Sequence, residues 1–286
     1  MIDMSNTLIP IPIPLGLPVV VAVDGSRHSV HAAVWAAEEA IDRDTWLRMV
    51  YVEPGADAES ADARAAFDSA LDAIEAAGRK IRTERQIRQG EPASAVIEES
   101  RAAQLVCVGA KGIEGSPGGR GAIAAQIAES AFCPVIIVRR RGRRHSPGDR
   151  WVIAVLDESP VAPAVWRAAL TEARRRDAAA LALTSWPSQS YGHHHCGDGL
   201  RAQLDHDLQA CRDDDAHTRV WATSIPAHLA GALAQTADLD QLIVVGKSNP
   251  ELIAELVGPQ GRSLLRKTNC SVMVVRDDQC EALAAS

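Results

Sequence analysis

Residues 105–121 read LVCVGAKGIEGSPGGRG, and the fold follows from how this stretch divides. Leu105, Val106, Cys107 and Val108 make a short apolar run closed by Gly109, the pattern of a strand buried on both faces. Gly112, Gly115, Gly118, Gly119 and Gly121 follow, a loop whose backbone can approach a ligand closely because no Cβ blocks it. Ala122 to Ser130 has helical character. Strand, glycine loop and helix start together cup phosphate, since free N–H groups and the positive helix end converge on one spot. Lys111 and Arg120 add cationic side chains. The alternative reading is a plain surface connection. The loop is neither a Walker A sequence, which requires Gly-Lys-Ser/Thr, nor a dinucleotide fingerprint, which follows the first strand of its unit.

Composition narrows the options. With 286 residues, 47% hydrophobic and 23% charged, the chain has an ordinary soluble composition and room for two domains. Aromatics make up only 3%, so the core is built from small side chains, as suits helices lying close on parallel strands. A formal net charge of −7 argues against a nucleic-acid partner. The six cysteines form no CxxC pair and read as small buried residues in a reducing cytoplasm, the expected location. No apolar run reaches the roughly 18 to 20 residues of a membrane helix, so no membrane partner is expected. Residues 1–15 form an N-terminal arm in which Pro10, Pro12 and Pro14 forbid a helix. The arm is expected to be extended, either disordered or laid across a partner.

The chain can be laid on itself. A shift of 133 residues puts VVVAVDGS (Val19 to Ser26) on VIAVLDES (Val152 to Ser159), Glu39-Ala40 on Glu172-Ala173 and Arg43-Asp44 on Arg176-Asp177. A shift of 137 puts LVCVG (Leu105 to Gly109) on LIVVG (Leu242 to Gly246), Gly121 on Gly258, Cys133 on Cys270 and Arg139 on Arg276. The chain is therefore expected to hold two copies of one domain, residues 16–142 and 149–278, with a linker at 143–148 and a tail at 279–286. The arginine-rich join reads as a solvated linker.

Each copy alternates strand and helix, which predicts an α/β fold with a parallel sheet covered on both faces. In the first copy strands are expected at Pro18–Val23, Leu47–Val52, within Arg79–Arg88 as a polar edge, at Leu105 and at Val135–Arg139. Helices are expected at Ser29–Arg43, Asp57–Ala77, Ala93–Ala103 and after Gly121. Ligands of such sheets sit at the carboxyl ends of the strands, where strand order reverses. Asp24, Val52 and Gly109 all fall at such ends. Asp24 can accept from a ribose hydroxyl or help hold a metal–phosphate group; an N-cap or turn satisfies Asp-Gly-Ser equally. Val52 can offer backbone N–H and C=O to an adenine edge, or be plain core.

These pieces carry a family resemblance. VVVAVDGS with its AAVWAAEEA helix, LRMVYVEP, and LVCVGAKG…GRGAIAAQIAESAFCPVIIVR resemble a tandem universal stress protein of the two-domain type. The resemblance implies two five-stranded parallel α/β domains, Rossmann-like and akin to adenine-nucleotide alpha-hydrolases. It implies ATP binding, possible Mg2+, dimerisation through the last strand, and little or no catalysis. The family motif G-x2-G-x9-G-(S/T) falls on Gly109, Gly112 and Gly121. The resemblance implies that Asp24 and Val52 take the nucleoside, while the loop and the Ala122-Ile123 amides take the phosphates. Two departures stand out: eight residues rather than nine separate Gly112 from Gly121, and Ala122 replaces the hydroxyl. One hydroxyl bond is worth about 0.5–1.5 kcal/mol net, and Arg120 offers a charge-assisted replacement.

In the second copy Asn249 replaces the second glycine, Pro250 follows, and Pro259, which has no N–H, takes the hydroxyl position. Glu251 and Glu255 place negative charge where phosphates would lie. That copy is expected to bind ATP poorly and to pack against the first. The expected function is an ATP-binding regulatory module of stress response, in which the domains pair within the chain and the chain forms a homodimer. The alternative is an interaction scaffold that has lost nucleotide binding. No Ser-His-Asp set or HExxH is visible, so no catalytic residue is assigned. His193, His194, His195 and Cys196 read as a solvated loop more readily than a metal site, and Trp35 and Trp166 read as core.

Overall fold

The computed structural model describes residues 16–53, 61–111, 122–139, 150–157, 161–184, 219–224, 240–257 and 269–276, together with Ser159, His206 and Gln209. The first half runs β1 (Val19–Ala22), α1 (Arg27–Asp42), β2 (Leu47–Glu53), α2 (Ala61–Ala76), β3 (Thr83–Gln89), α3 (Pro92–Glu99), β4 (Leu105–Gly109), α4 (Ala122–Ser130) and β5 (Val135–Val138). The second runs β6 (Arg150–Leu156), α5 (Ala162–Arg175), β7 (Ala179–Thr184), β8 (Val220–Ser224), β9 (Asp240–Gly246), α6 (Pro250–Val257) and β10 (Asn269–Val275). The polar strand β3 is an edge strand, as its polarity predicts.

All ten strands form one sheet, in the order β3-β2-β1-β4-β5-β10-β9-β6-β7-β8. Within each half every pairing is parallel, and the halves meet through an antiparallel contact of β5 with β10. The two expected five-stranded sheets are thus one continuous mixed sheet. The joining ladder pairs Val272 with Ile137, Met273 with Ile136 and Val274 with Val135. Met273 is the repeat counterpart of Ile136, so a local two-fold axis passes between those residues.

One face of the sheet is covered by α1, α2 and α5, the other by α3, α4 and α6. Helix α1 turns Ala32, Ala33, Ala36, Ala37 and Ala40 inward, all fully buried, so it lies close on β1 and β4. Its start is capped by Ser26, whose hydroxyl accepts from the Ser29 N–H at 3.1 Å. Its end is a left-handed turn at Asp44 (φ 49°), with Thr45 N–H donating to Ala40 O at 2.9 Å. Helix α5 ends identically at Asp177 (φ 47°), with Ala178 N–H donating to Ala173 O at 2.9 Å. The Arg-Asp match in the repeat therefore has a structural cause in both residues. The aspartates take the left-handed turn, and the arginines meet across the interface.

There Glu39, Arg43, Glu172 and Arg176 close a ring of four ion pairs: Glu39 with Arg43, Arg43 with Glu172, Glu172 with Arg176, Arg176 with Glu39. The glutamates are buried, and the Arg176 guanidinium lies over the Trp35 ring, 5.6 Å from its centre. Burial raises the Glu172 carboxyl, but Arg176 and Arg43 outweigh it and hold the pKa at about 2. On the opposite face Arg139 donates to Leu256 O, and Arg276 donates to Ala131 O at 2.9 Å. Trp166 is core, as its setting among alanines predicts, and Trp35 is partly buried against the same cluster. Cys107, Cys133 and Cys270 are buried, and burial pushes the Cys133 thiol up to about 12. Among the described residues no helix is long and apolar enough to cross a membrane. The N-terminal arm, the linker, the His193–His195 loop and the tail lie outside the described residues.

Candidate functional site

Strand order in the first half reverses at β1, which has β2 on one side and β4 on the other. The carboxyl ends of these three strands carry Asp24, Val52 and Gly109. The register of β1 on β2 pairs Ala22 with Val50, and Val23 N–H donates to Val50 O at 2.9 Å. Continued two residues, that register sets Asp24 beside Val52. Hydrogen-bonding direction alternates along a strand, so Val52, like Val50, turns its N–H and C=O toward the β1 side, where β1 has already ended. Its side chain packs into the second core. Val52 therefore joins the core through its side chain while its backbone groups face the side on which β1 has ended.

Asp24 forms a turn as well as a strand end. Its Oδ1 accepts from the Ser26 N–H at 2.9 Å, and its own N–H donates to Ser29 Oγ at 3.3 Å. Gly25, between them, has φ +78° and faces Ala66 of α2. The Ser26 hydroxyl also donates to Lys111 O at 3.5 Å, which ties this turn to the beginning of the glycine loop. Ala122 opens α4, and Ile123 is half-buried against the second core. Gly112, Arg120 and Gly121 lie outside the described residues.

Gly109 has a different constraint from the one its motif suggests. A Cβ there would stand 2.8 Å from the backbone carbon of His28 and 2.9 Å from its oxygen. The glycine is required because the first turn of α1 lies directly on the end of β4. The His28 pKa is lowered, first by burial and then by Lys111, so positive charge gathers at this corner without the imidazole.

The second half keeps the strand order and differs in the contacts of its aspartate. Asp157, the counterpart of Asp24, accepts from the Ser159 N–H at 3.1 Å and from the Ser159 hydroxyl through one oxygen, and from the Asn249 amide at 3.2 Å through the other. Asn249, where the repeat puts Gly112, also caps α6 by accepting from the Leu252 N–H at 3.0 Å. The stretch after it is helical, not a loop. It buries Ile253, Leu256 and Val257 in the core. Gly246 is less crowded than Gly109, with Val165 Cγ2 3.3 Å from where a Cβ would stand. Sequence reasoning found Asn249 as a lost glycine and missed its role as a bolt on Asp157. It also missed Glu53, which ends β2 beside Val52 and is 8% exposed.

The fold is a duplicated α/β protein whose halves share one strand order and differ in the contacts made at Asp24 and at Asp157. Comparison with known proteins agrees with this architecture. The family model described as "Universal stress protein family" matches residues 17–139. Universal stress protein Rv2028c of Mycobacterium tuberculosis is 35% identical over 268 residues, spanning 90% of this chain and 95% of that protein. Universal stress protein Rv2624c of the same organism is 32% identical over 275 residues, spanning 90% and 96%. A crystal structure of a universal stress protein from Archaeoglobus fulgidus shares the fold, with TM-score 0.65 at 16% identity over 91% of this chain and 96% of that one. The chain belongs to the universal stress protein family.

Proposed function

We propose that the first half binds an adenine nucleotide, ATP with Mg2+ as its companion ion, and that the protein is a nucleotide-dependent regulatory module in stress response rather than a catalyst. The observation that carries this reading is the convergence of Asp24, Val52 and Gly109 at one switch point, with Lys111 beside them. The base edge meets Val52 backbone groups, the sugar meets Asp24, and the phosphates meet the glycine loop and the α4 N-terminus. In this reading bound ATP acts chiefly as a signal, with at most slow hydrolysis. The second half contributes packing, because the Asp157 carboxylate is already satisfied by Ser159 and Asn249.

One observation favours the scaffold alternative. Gly109 is explained by helix packing alone, so its presence does not by itself require a ligand. Calorimetric titration with ATP, with and without Mg2+, separates the readings. Binding that is lost in Asp24→Ala and retained in Asp157→Ala supports the nucleotide module. Absence of binding at millimolar ATP leaves the scaffold. For a homodimer, β5 is already covered by β10, and the outermost strands are β3 and β8.

A further inference from the structure

Glu53 is a carboxylate where a strand end in a packed α/β unit ordinarily has an apolar residue. It is 8% exposed, and its Oε2 has no hydrogen-bond partner among the described residues. Its backbone oxygen is satisfied, accepting from the Gly90 N–H at 3.0 Å, so the deficit belongs to the side chain alone. A buried acceptor left without a donor is destabilising, more so when charged. Nothing among the described residues offsets that cost.

The location connects this deficit to the switch point. The Val23 N–H bond to Val50 O stands three residues before Glu53 on β2, and the chain beyond it turns at Gly25, φ +78°. Alternation along β2 places Tyr51 against Phe67 of α2 and Val52 in the opposite core, so Glu53 belongs to the α1–α2 side of the same strand end. Gly25 meets α2 on that side, 3.7 Å from the Ala66 Cβ. Asp24 has one oxygen engaged by its own turn. Glu53 therefore adds, at the end of β2 and on the side of α1 and α2, a carboxylate oxygen that the described residues do not use. In the second half the same 133-residue shift places Trp186 opposite Glu53, so the closed half lacks this acceptor as well.

We propose that Glu53 is a specificity-determining residue of the nucleotide site, its buried carboxylate oxygen, left without a donor by the described residues, accepting a hydrogen bond from a donor on the nucleoside, either a ribose hydroxyl or the exocyclic amino group of the base. The inference rests on the nucleotide-binding reading above and adds the group that selects the nucleoside. The phosphates are held elsewhere and do not depend on it.

The test is calorimetric titration of the full chain and of Glu53→Ala and Glu53→Gln with ATP, ITP, 2′-deoxy-ATP, 3′-deoxy-ATP and inorganic tripolyphosphate. The expected result is about a tenfold or greater loss of ATP affinity in Glu53→Ala, a smaller loss in the isosteric Glu53→Gln, and unchanged tripolyphosphate affinity. The analogue lacking the accepted donor should bind the parent protein more weakly by the same factor, and should lose nothing further in Glu53→Ala. ITP in that role identifies the base amino group; a deoxy analogue identifies the sugar. ATP affinity within twofold of the parent in both variants overturns the proposal while leaving the site reading intact. An equal loss for ATP and tripolyphosphate overturns it in favour of a structural role. A parent protein that binds no nucleotide overturns the site reading and this inference together.

Discussion

The guanidinium of Arg43, at the end of α1, reaches across the interface between halves to Glu172 of α5, with Nη2 2.6 Å from Oε1. Its symmetry mate, Arg176, returns to Glu39, and the two helices also hold their own pairs, so charges alternate around a closed ring. Ion pairs at this depth are weak sources of net stability but severe liabilities when broken, because the remaining charge is stranded away from water. The ring thus acts mainly as a selector of how α1 and α5 meet.

Arg43→Met should lower unfolding free energy by about 3–5 kcal/mol, measured by chemical denaturation at pH 7. A sharper check exchanges charges. Glu172→Arg with Arg176→Glu keeps the pair within α5 but sets like charges against Arg43 and Glu39. Exchanging Glu39 and Arg43 as well restores alternation. The four-site variant should recover most of the stability that the two-site variant loses; equal loss in both would contradict cross-interface pairing.

Acid should act through the same ring. Glu172 has a folded-state pKa of about 2 against an ordinary value of 4.5. Its ionisation contributes stability that is complete above about pH 4.5 and is lost as pH falls toward 2. Glu172→Gln should therefore be less stable at neutral pH and show a shallower decline between pH 4.5 and 2.

Gly109→Ala tests helix approach rather than ligand approach. With His28 backbone at 2.8 Å, α1 must shift, at a cost of about 1–3 kcal/mol. Gly246→Ala, facing side-chain atoms at 3.3 Å and beyond, should cost clearly less. The comparison is a pair of thermal melts without nucleotide. Loss of ATP binding in Gly109→Ala alone is thus poor support for a phosphate contact, and Asp24→Ala is the better probe.

His28 should report the bound anion. Burial, then Lys111, lower its pKa from 6.5, with Arg27 acting in the same direction and Asp24 opposing. Its neutral form accordingly contributes stability that is full above pH 6.5 and declines as pH falls below it. A triphosphate next to Lys111 would cancel part of that positive field. NMR titration of the His28 ring should show the pKa move upward when ATP is added; no movement would argue against phosphates at this corner.

Much of this was legible in the sequence because the signals are local. Apolar runs such as Leu105–Val108 mark central strands, polarity marks β3 as an edge, and the repeat exposes the duplication. What was not legible depends on contacts between distant residues. Glu39 and Arg43 appear in sequence as charges on a helix, and only their repeat match hints at a shared task. Gly109 is the same letter whether it yields to a ligand or to His28. In residues 250–257 the repeat argues for a loop, yet Ile253, Leu256 and Val257 fall at helical spacing, and that local preference prevails once Asn249 supplies a cap.

The pseudo-two-fold between Ile136 and Met273 has an evolutionary corollary. In an assembly of identical subunits every substitution is made twice, so a change that shuts one binding position shuts its mate. Here the mates are encoded separately and tethered for life. A bolt such as Asn249 on Asp157 can be drawn across one of them while the other is left to be shaped on its own.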